Sequence, residues 1–431
     1  MQLTIVGYGM IAVIVFLLIR EKASLPPIFV LVPILGALLG GFSPNEICGF
    51  VAAGINAVQN TAILFAFSIL YFSILGEIGI FDALAHFLVK RMGNNIFVLL
   101  LVTFVIATVI QMDGSGAMTM LITIPMMLPL YDAMRIRRPV LVCVCSMGAG
   151  VMNMLPWCSA MLRVSAGTGL EAQEIWRAVL PVQGATFVFG IAVTVLIGFM
   201  ELRHGAGMED AEFERLRSEM SKSVELKVSK GVALFDVIFT IALIVLLLLG
   251  VVTTTVGFMA GLGVILVVNY RSIKEQDATI KHFSATAYPL VLTIFAIGVM
   301  LGVMQGTGAI DAIARSLMRL IPESSGGLVT FLYGLVGVPI STLIGSDCCY
   351  SVVAPLLGTI SAGYGGGMMQ AAAAIIITSS MAASVSFVGP VPYMTVGLAG
   401  ITMSENVRYC FKYLWLMGVL MILAAKVMGI V

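Results

Sequence analysis

Charge is scarce in this chain of 431 residues: 10% of positions are Asp, Glu, Lys or Arg, and the formal net charge is +1. No basic stripe exists to neutralise phosphates, which excludes nucleic acid as a partner. Histidine is limited to His86, His204 and His282, which fall in amphipathic or basic segments and make poor proton carriers. The seven cysteines are odd in number, lie mostly in apolar runs and lack metal-ligand spacing, so they read as small packing residues. The 28 methionines form no Met-x-x-Met ladder at any one place and read as flexible packing. The first residues lack a basic n-region and a small-residue cleavage site, which fits a retained span better than a signal peptide. No cofactor is implied by any motif.

What is abundant is apolar sequence. With 60% hydrophobic residues and a mean hydropathy of +1.09, the chain is an all-α polytopic membrane protein whose solvent is the lipid bilayer. Apolar spans fall at Leu3–Ile19, Pro26–Phe42, Ala57–Ile78, Val179–Met200, Val232–Val252, Val256–Asn269, Thr286–Gln305 and Tyr413–Ile430. Between them lie two apolar blocks broken by Gly and Asp, Asn95–Met134 and Gly326–Ile360, and two broken by Pro, Pro139–Ala166 and Met368–Gly400. The long polar segment 201–231 divides the chain near its midpoint and reads as a solvated linker with a short helix.

The halves on either side of it are alike. "GIFDALAHFLVK" from Gly79 and "GAIDAIARSLMR" from Gly308 match at a constant offset of 229, and both read as amphipathic interfacial helices. Asp113 and Asp347 are 234 apart, as are Pro156 and Pro390, and a five-residue insertion would reconcile the two offsets. The chain therefore reads as a duplication. Residues 1–200 form one repeat and 232–431 the other, each with three spans, a re-entrant helical hairpin, a broken helix and a final span. Five crossings per half would invert the second repeat. With the termini outside and the linker 201–231 cytoplasmic, 18 of the 23 Lys and Arg face the cytoplasm, the exceptions being Arg163, Arg177, Arg315, Arg319 and Lys426. The membrane expected is a bacterial inner membrane.

Irregular backbone at membrane depth is tolerated only where protein covers it or it lines a cavity. Here "MDGSGAMT" and "LIGSDCCYS" read as hairpin tips, and "GVMNMLPWCSAMLR" and "ASVSFVGPVPYMT" as broken helices. Paired inverted repeats with such interruptions are a secondary-transporter design, in which helix N-termini hold anions while acids hold the coupling cation. The expected coupling residues are Asp113 and Asp347, each also a candidate ligand to a metal carried with the substrate. The competing reading of both is a helix cap or a structural buried acid. Arg163 is suited to bidentate carboxylate binding; the alternative is an Arg anchored at the interface. Gly114, Ser115, Gly116, Thr119, Asn153, Pro156, Ser346, Ser386, Gly389, Pro390 and Thr395 complete the expected substrate site. Glu77, Asp82 and Asp311 are expected at the surface.

"SILYFSILGEIGIFDAL", "DGSGAMTMLITIPMMLPLY", "VMNMLPWCSAMLR" and "GPVPYMTVGLAGITMSENVRYCFKYLW" together resemble the CitMHS family, proton-coupled transporters of citrate complexed with a divalent metal within the ion transporter superfamily. The resemblance implies a homodimer with a scaffold, from spans in 1–91 and 232–320, and a mobile transport domain, from 95–200 and 326–431, working as an elevator. Asp113 and Gly114 match the family's Asp-Gly tip, while Ser115 stands where a second acid is common. Asn153, Pro156, Trp157 and Arg163 match its Pro-Trp segment, but "CSAML" replaces a Gly-Gly-Pro-Thr pattern.

The function expected is symport of an organic acid. Citrate is the leading cargo, with or without complexed Mg2+ or Ca2+, driven by a proton or sodium gradient. A free di- or tricarboxylate/sodium symporter is the alternative. An enzyme reading also exists: an intramembrane aspartyl protease would use Asp113 and Asp347 as a dyad. It requires two acids facing each other on through-going helices.

Overall fold

The computed structural model describes residues 2–20, 23–90, 93–209, 213, 226–319, 328–388 and 390–431, and among them there is no strand. The first half runs α1 (Gln2–Ile19), α2 (Leu25–Leu39), α3 (Pro44–Ile78), α4 (Ile80–Lys90), α5 (Ile96–Ile110), α6 (Gly116–Ala133), α7 (Arg138–Met152), α8 (Ser159–Thr168) and α9 (Ala172–Arg203). The second runs α10 (Lys230–Leu248), α11 (Thr254–Asn269), α12 (Ile273–Gly306), α13 (Ala309–Met318), α14 (Val329–Ile344), α15 (Ala354–Gly363), α16 (Met368–Ala382), α17 (Pro390–Ala399) and α18 (Met403–Val427). The order of long, short and broken helices thus recurs. Seven of the described helices are long and apolar enough to cross a membrane, and six more are shorter apolar helices. Most of the expected linker helix falls outside the described residues.

The repeat is written into helix signals as well as lengths. Ser43 and Ser272, 229 residues apart, each cap a long helix through a reciprocal box with Glu46 and Glu275. Left-handed Gly79 and Gly308 then turn the chain into the short amphipathic helices α4 and α13. α3 and α12, of 35 and 34 residues, are much longer than the apolar spans within them, about 50 Å at 1.5 Å per residue. Hydropathy missed their polar first turns because those lie outside the apolar window.

Packing repeats too. α3 and α12 pack on one another, α2 packs on α12 as α11 does on α3, and α5 packs on α7 as α14 does on α16. The α3–α12 crossing is backbone to backbone: a Cβ on Gly54 would fall on the Gly298 carbonyl, and one on Gly302 on the Phe50 carbonyl. Small residues are the device by which helices in lipid gain dispersion contact without a hydrophobic driving force.

The acids and the turning glycines at the hairpins stand at different offsets, 234 for Asp113 and Asp347. The chain reverses at Gly114 (φ +82°) and at Gly345 (φ +90°), which are 231 apart. Asp113 ends a 3-10 turn before the first hinge, whereas Asp347 follows the second in a helical turn leading to the π-helical segment Cys349–Val353. Similarly Pro156 lies inside the first break, while Pro390 opens α17. In both halves the residue at the turn is a glycine with positive φ, and the spacing of 231 between these two glycines exceeds the 229 between Gly79 and Gly308 by two.

Candidate functional site

Each hairpin tip is held by the broken helix of its own half. In the first half, Gly114 takes the left-handed turn, and a Cβ there would meet the Trp157 carbonyl at 3.1 Å. The Trp157 indole N–H donates to the Met112 carbonyl at 2.8 Å, and the Ser159 N–H donates to the Gly114 carbonyl at 3.3 Å. In the second half, the Phe387 N–H donates to the Thr342 carbonyl at 3.0 Å, and the Ser346 hydroxyl donates to the Ser379 carbonyl at 3.2 Å. Backbone freed by the breaks is therefore satisfied by the tips, as burial requires.

Polar links then join the halves. Arg163, on α8, forms an ion pair with Asp347 at the second tip, while its Nε is buried and unpartnered. The fully buried Gln111 amide donates to Asn153 Oδ1 at 2.9 Å, and Asn153 Nδ2 donates to the Ser380 carbonyl at 3.4 Å. Asp113 accepts from the Ser115 N–H at 2.6 Å and has no cationic partner among the described residues.

A cavity of about 1510 Å³ opens where these parts meet. Asp113, Gly114, Ser115, Gly116, Asn153, Arg163, Ser346, Asp347 and Ser386 line it. Glu77, Lys227 and His282 line it as well, and Lys227 Nζ lies 3.0 Å from Glu77 Oε1. Among the described residues the lining carries three carboxyl groups, Glu77, Asp113 and Asp347, and two cations, Arg163 and Lys227. α8 presents Ser159 and Ala160 to the cavity, and its N-cap Cys158 supplies no side-chain cap. Part of this helix N-terminus is left to favour an anion, since the Ser159 N–H already donates to the Gly114 carbonyl.

The chain belongs to the CitMHS citrate transporter family. The family model, described as a citrate transporter, matches residues 15–382. A "Citrate transporter" of Bacillus subtilis (strain 168) is 30% identical over the whole of both chains. A "Mg(2+)/citrate complex secondary transporter" of the same organism is 29% identical over 99% of each. The crystal structure of the Alcanivorax borkumensis YdaH transporter has the same fold, with a TM-score of 0.62 and 11% identity over 90% of each chain. This CitMHS member is thus a multi-pass transporter and not an enzyme, which removes the aspartyl protease reading.

Other expected site residues lie elsewhere. Thr119 is buried and donates to Gln111 Oε1 and to the Ser115 carbonyl; Thr395 is buried and donates to the Val391 carbonyl. Pro156 is buried in the break away from the cavity lining. Pro390 is placed as the first residue of α17, and Gly389 lies outside the described residues. Glu77 and Lys227 line the cavity, although sequence reading set them at the surface and in the linker. Gln111 was overlooked, though an amide two residues before Asp113 in an apolar run was a usable signal. Among the described residues no group of three or more His, Cys, Asp or Glu is placed to hold a metal ion.

Proposed function

We propose that this protein is a symporter that imports citrate, free or complexed with Mg2+ or Ca2+, through the cavity between the two hairpin tips. The observation that carries the reading is that both tips and the first helix break wall one cavity holding the Arg163–Asp347 pair and an acid, Asp113, without a cationic partner. Hairpins that crossed the membrane fully would put their tips at its surfaces, so a shared cavity supports re-entry from opposite faces in inverted repeats. Carboxylate groups of the substrate lie against Arg163 and the α8 N-terminus, and Asp113 takes the coupling proton or sodium, or the metal of the complex.

In the same reading α1–α4 and α10–α13 form a dimeric scaffold, and α5–α9 with α14–α18 move against it as an elevator. The orientation with the termini outside an inner membrane puts Glu77, Lys227 and His282 at a cytoplasmic mouth. Radiolabelled citrate uptake in proteoliposomes, with and without Mg2+ or Ca2+ and under imposed proton or sodium gradients, tests the cargo and the coupling. Accumulation of citrate under neither gradient would refute symport. Cysteine crosslinks from the hairpins to α3 and α12 should trap two states differing in tip depth. An unchanged depth would refute the elevator.

A further inference from the structure

Away from the cavity, one buried acid has no part in this scheme. Asp236, in the second turn of α10, is 0% exposed, and no Lys, Arg or His pairs with it among the described residues. Its Oδ1 accepts from Asn269 Nδ2 at 3.2 Å, and the same nitrogen donates to the Ile265 carbonyl at 3.0 Å. Those two bonds use both amide hydrogens and fix the orientation of the amide, since a flipped Asn269 would point its oxygen at two acceptors. Two buried oxygens are left with no donor, Asp236 Oδ2 and Asn269 Oδ1. If the carboxyl is ionised, both are bare acceptors, and a buried anion without a donor or counter-charge is a costly arrangement.

One hydrogen resolves the deficit. Placed on Oδ2, it supplies the donor the pair lacks, and Asn269 Oδ1 is the unsatisfied acceptor on the group already tied to the same carboxyl. We propose that Asp236 and Asn269 form a proton-binding site between α10 and α11, separate from the transport cavity and independent of the cargo assigned to it. Two free oxygens are too few for Mg2+ or Ca2+, which take six or more, and the site has, among the described residues, none of the Cys or His ligands that Zn2+ prefers. Among the described residues, the ionisable groups that interact with this carboxyl are the phenols Tyr71 from α3 and Tyr270 just past α11. Glu77 also acts on Tyr270 and is itself paired with Lys227. The Thr240 hydroxyl donates to the Asp236 carbonyl at 2.7 Å, so the Tyr71 hydroxyl, 2.7 Å from it, donates to Thr240 in turn. These bonds tie the Asp236 backbone carbonyl to α3 and its Oδ1 to α11 whatever the state of Oδ2, so the proton's part is to remove the charge from a buried oxygen that has no donor.

Infrared difference spectra of the protein in lipid nanodiscs, recorded from acidic through neutral to alkaline pH, read this proton directly. Wild type should show a protonated-carboxyl C=O band that is lost in Asp236→Asn and retained in Asp113→Asn and Asp347→Asn. In Asn269→Leu, which keeps Asp236, the band should move to higher wavenumber as the acid loses its amide partner. This second variant gives the answer if Asp236→Asn does not insert. Spectra of Asp236→Asn superimposable on wild type at every pH, a band unmoved in Asn269→Leu, or a band removed by sodium at constant pH would overturn the proposal.

Discussion

Removing the Asp347 carboxylate should be more damaging than removing its partner. The Asp347 side chain is 38% exposed and that of Arg163 only 14%, so the pair lies between exposed ion pairs, worth about 0.2–1 kcal/mol, and buried ones, whose breaking costs about 3–5 kcal/mol. Asp347→Asn strands a mostly buried guanidinium whose Nε already lacks a partner, and we expect a loss of about 2 kcal/mol, intermediate between those limits. Arg163→Gln leaves a carboxylate that water in the cavity can reach, and we expect about 1 kcal/mol. The double variant should then fall short of the sum by about 1 kcal/mol, the signature of coupled neighbours. Unfolding of the four proteins in one detergent, with and without citrate and Mg2+, measures the cycle. Binding of citrate to Arg163 should shrink the Asp347→Asn deficit. Coupling below about 0.3 kcal/mol, within the scatter of independent sites, or a larger cost for Arg163→Gln, would refute the argument.

Three further outcomes follow from the same geometry. Asp113→Asn should insert normally yet lose gradient-driven accumulation of citrate in proteoliposomes, and unaltered accumulation with unaltered dependence on pH, sodium and Mg2+ would show that Asp113 does not couple transport. Arg163→Lys keeps the charge but loses the planar fork, so citrate binding measured by calorimetry should weaken; wild-type affinity would make Arg163 a structural anchor. Gly54→Ala should destabilise the α3–α12 crossing by about 1–3 kcal/mol, read by thermal unfolding, because its methyl group meets a carbonyl that cannot rotate away.

Composition and hydropathy were enough to specify a polytopic helical protein, because lipid forces every backbone group into an internal hydrogen bond and leaves few alternatives to helices. The hairpin tips and helix breaks were legible for a related reason. Gly114 and Pro156 are local breakers of regular structure, and a breaker in an apolar run is visible without knowing the fold. The repeat was visible in Gly79 and Gly308. The turn at Gly345 was not, since the neighbouring acid drew attention while the positive φ belongs to the glycine.

What only the tertiary structure decided are relations between distant residues. Arg163 and Asp347 lie 184 positions apart, and no local pattern marks one as the other's partner. The same holds for Gln111, Asn153 and Ser380, whose hydrogen bonds join the two halves, and for Lys227, brought from the linker to Glu77. Asp236 was invisible for the opposite reason. An acid near a helix end looks solvated in sequence, and only the packing of α11 and α3 around it removes the water. Sequence sets which segments enter the membrane and where they break, by the local cost of exposing backbone and charge. Packing sets which charges meet, because ion pairs and hydrogen bonds form through space.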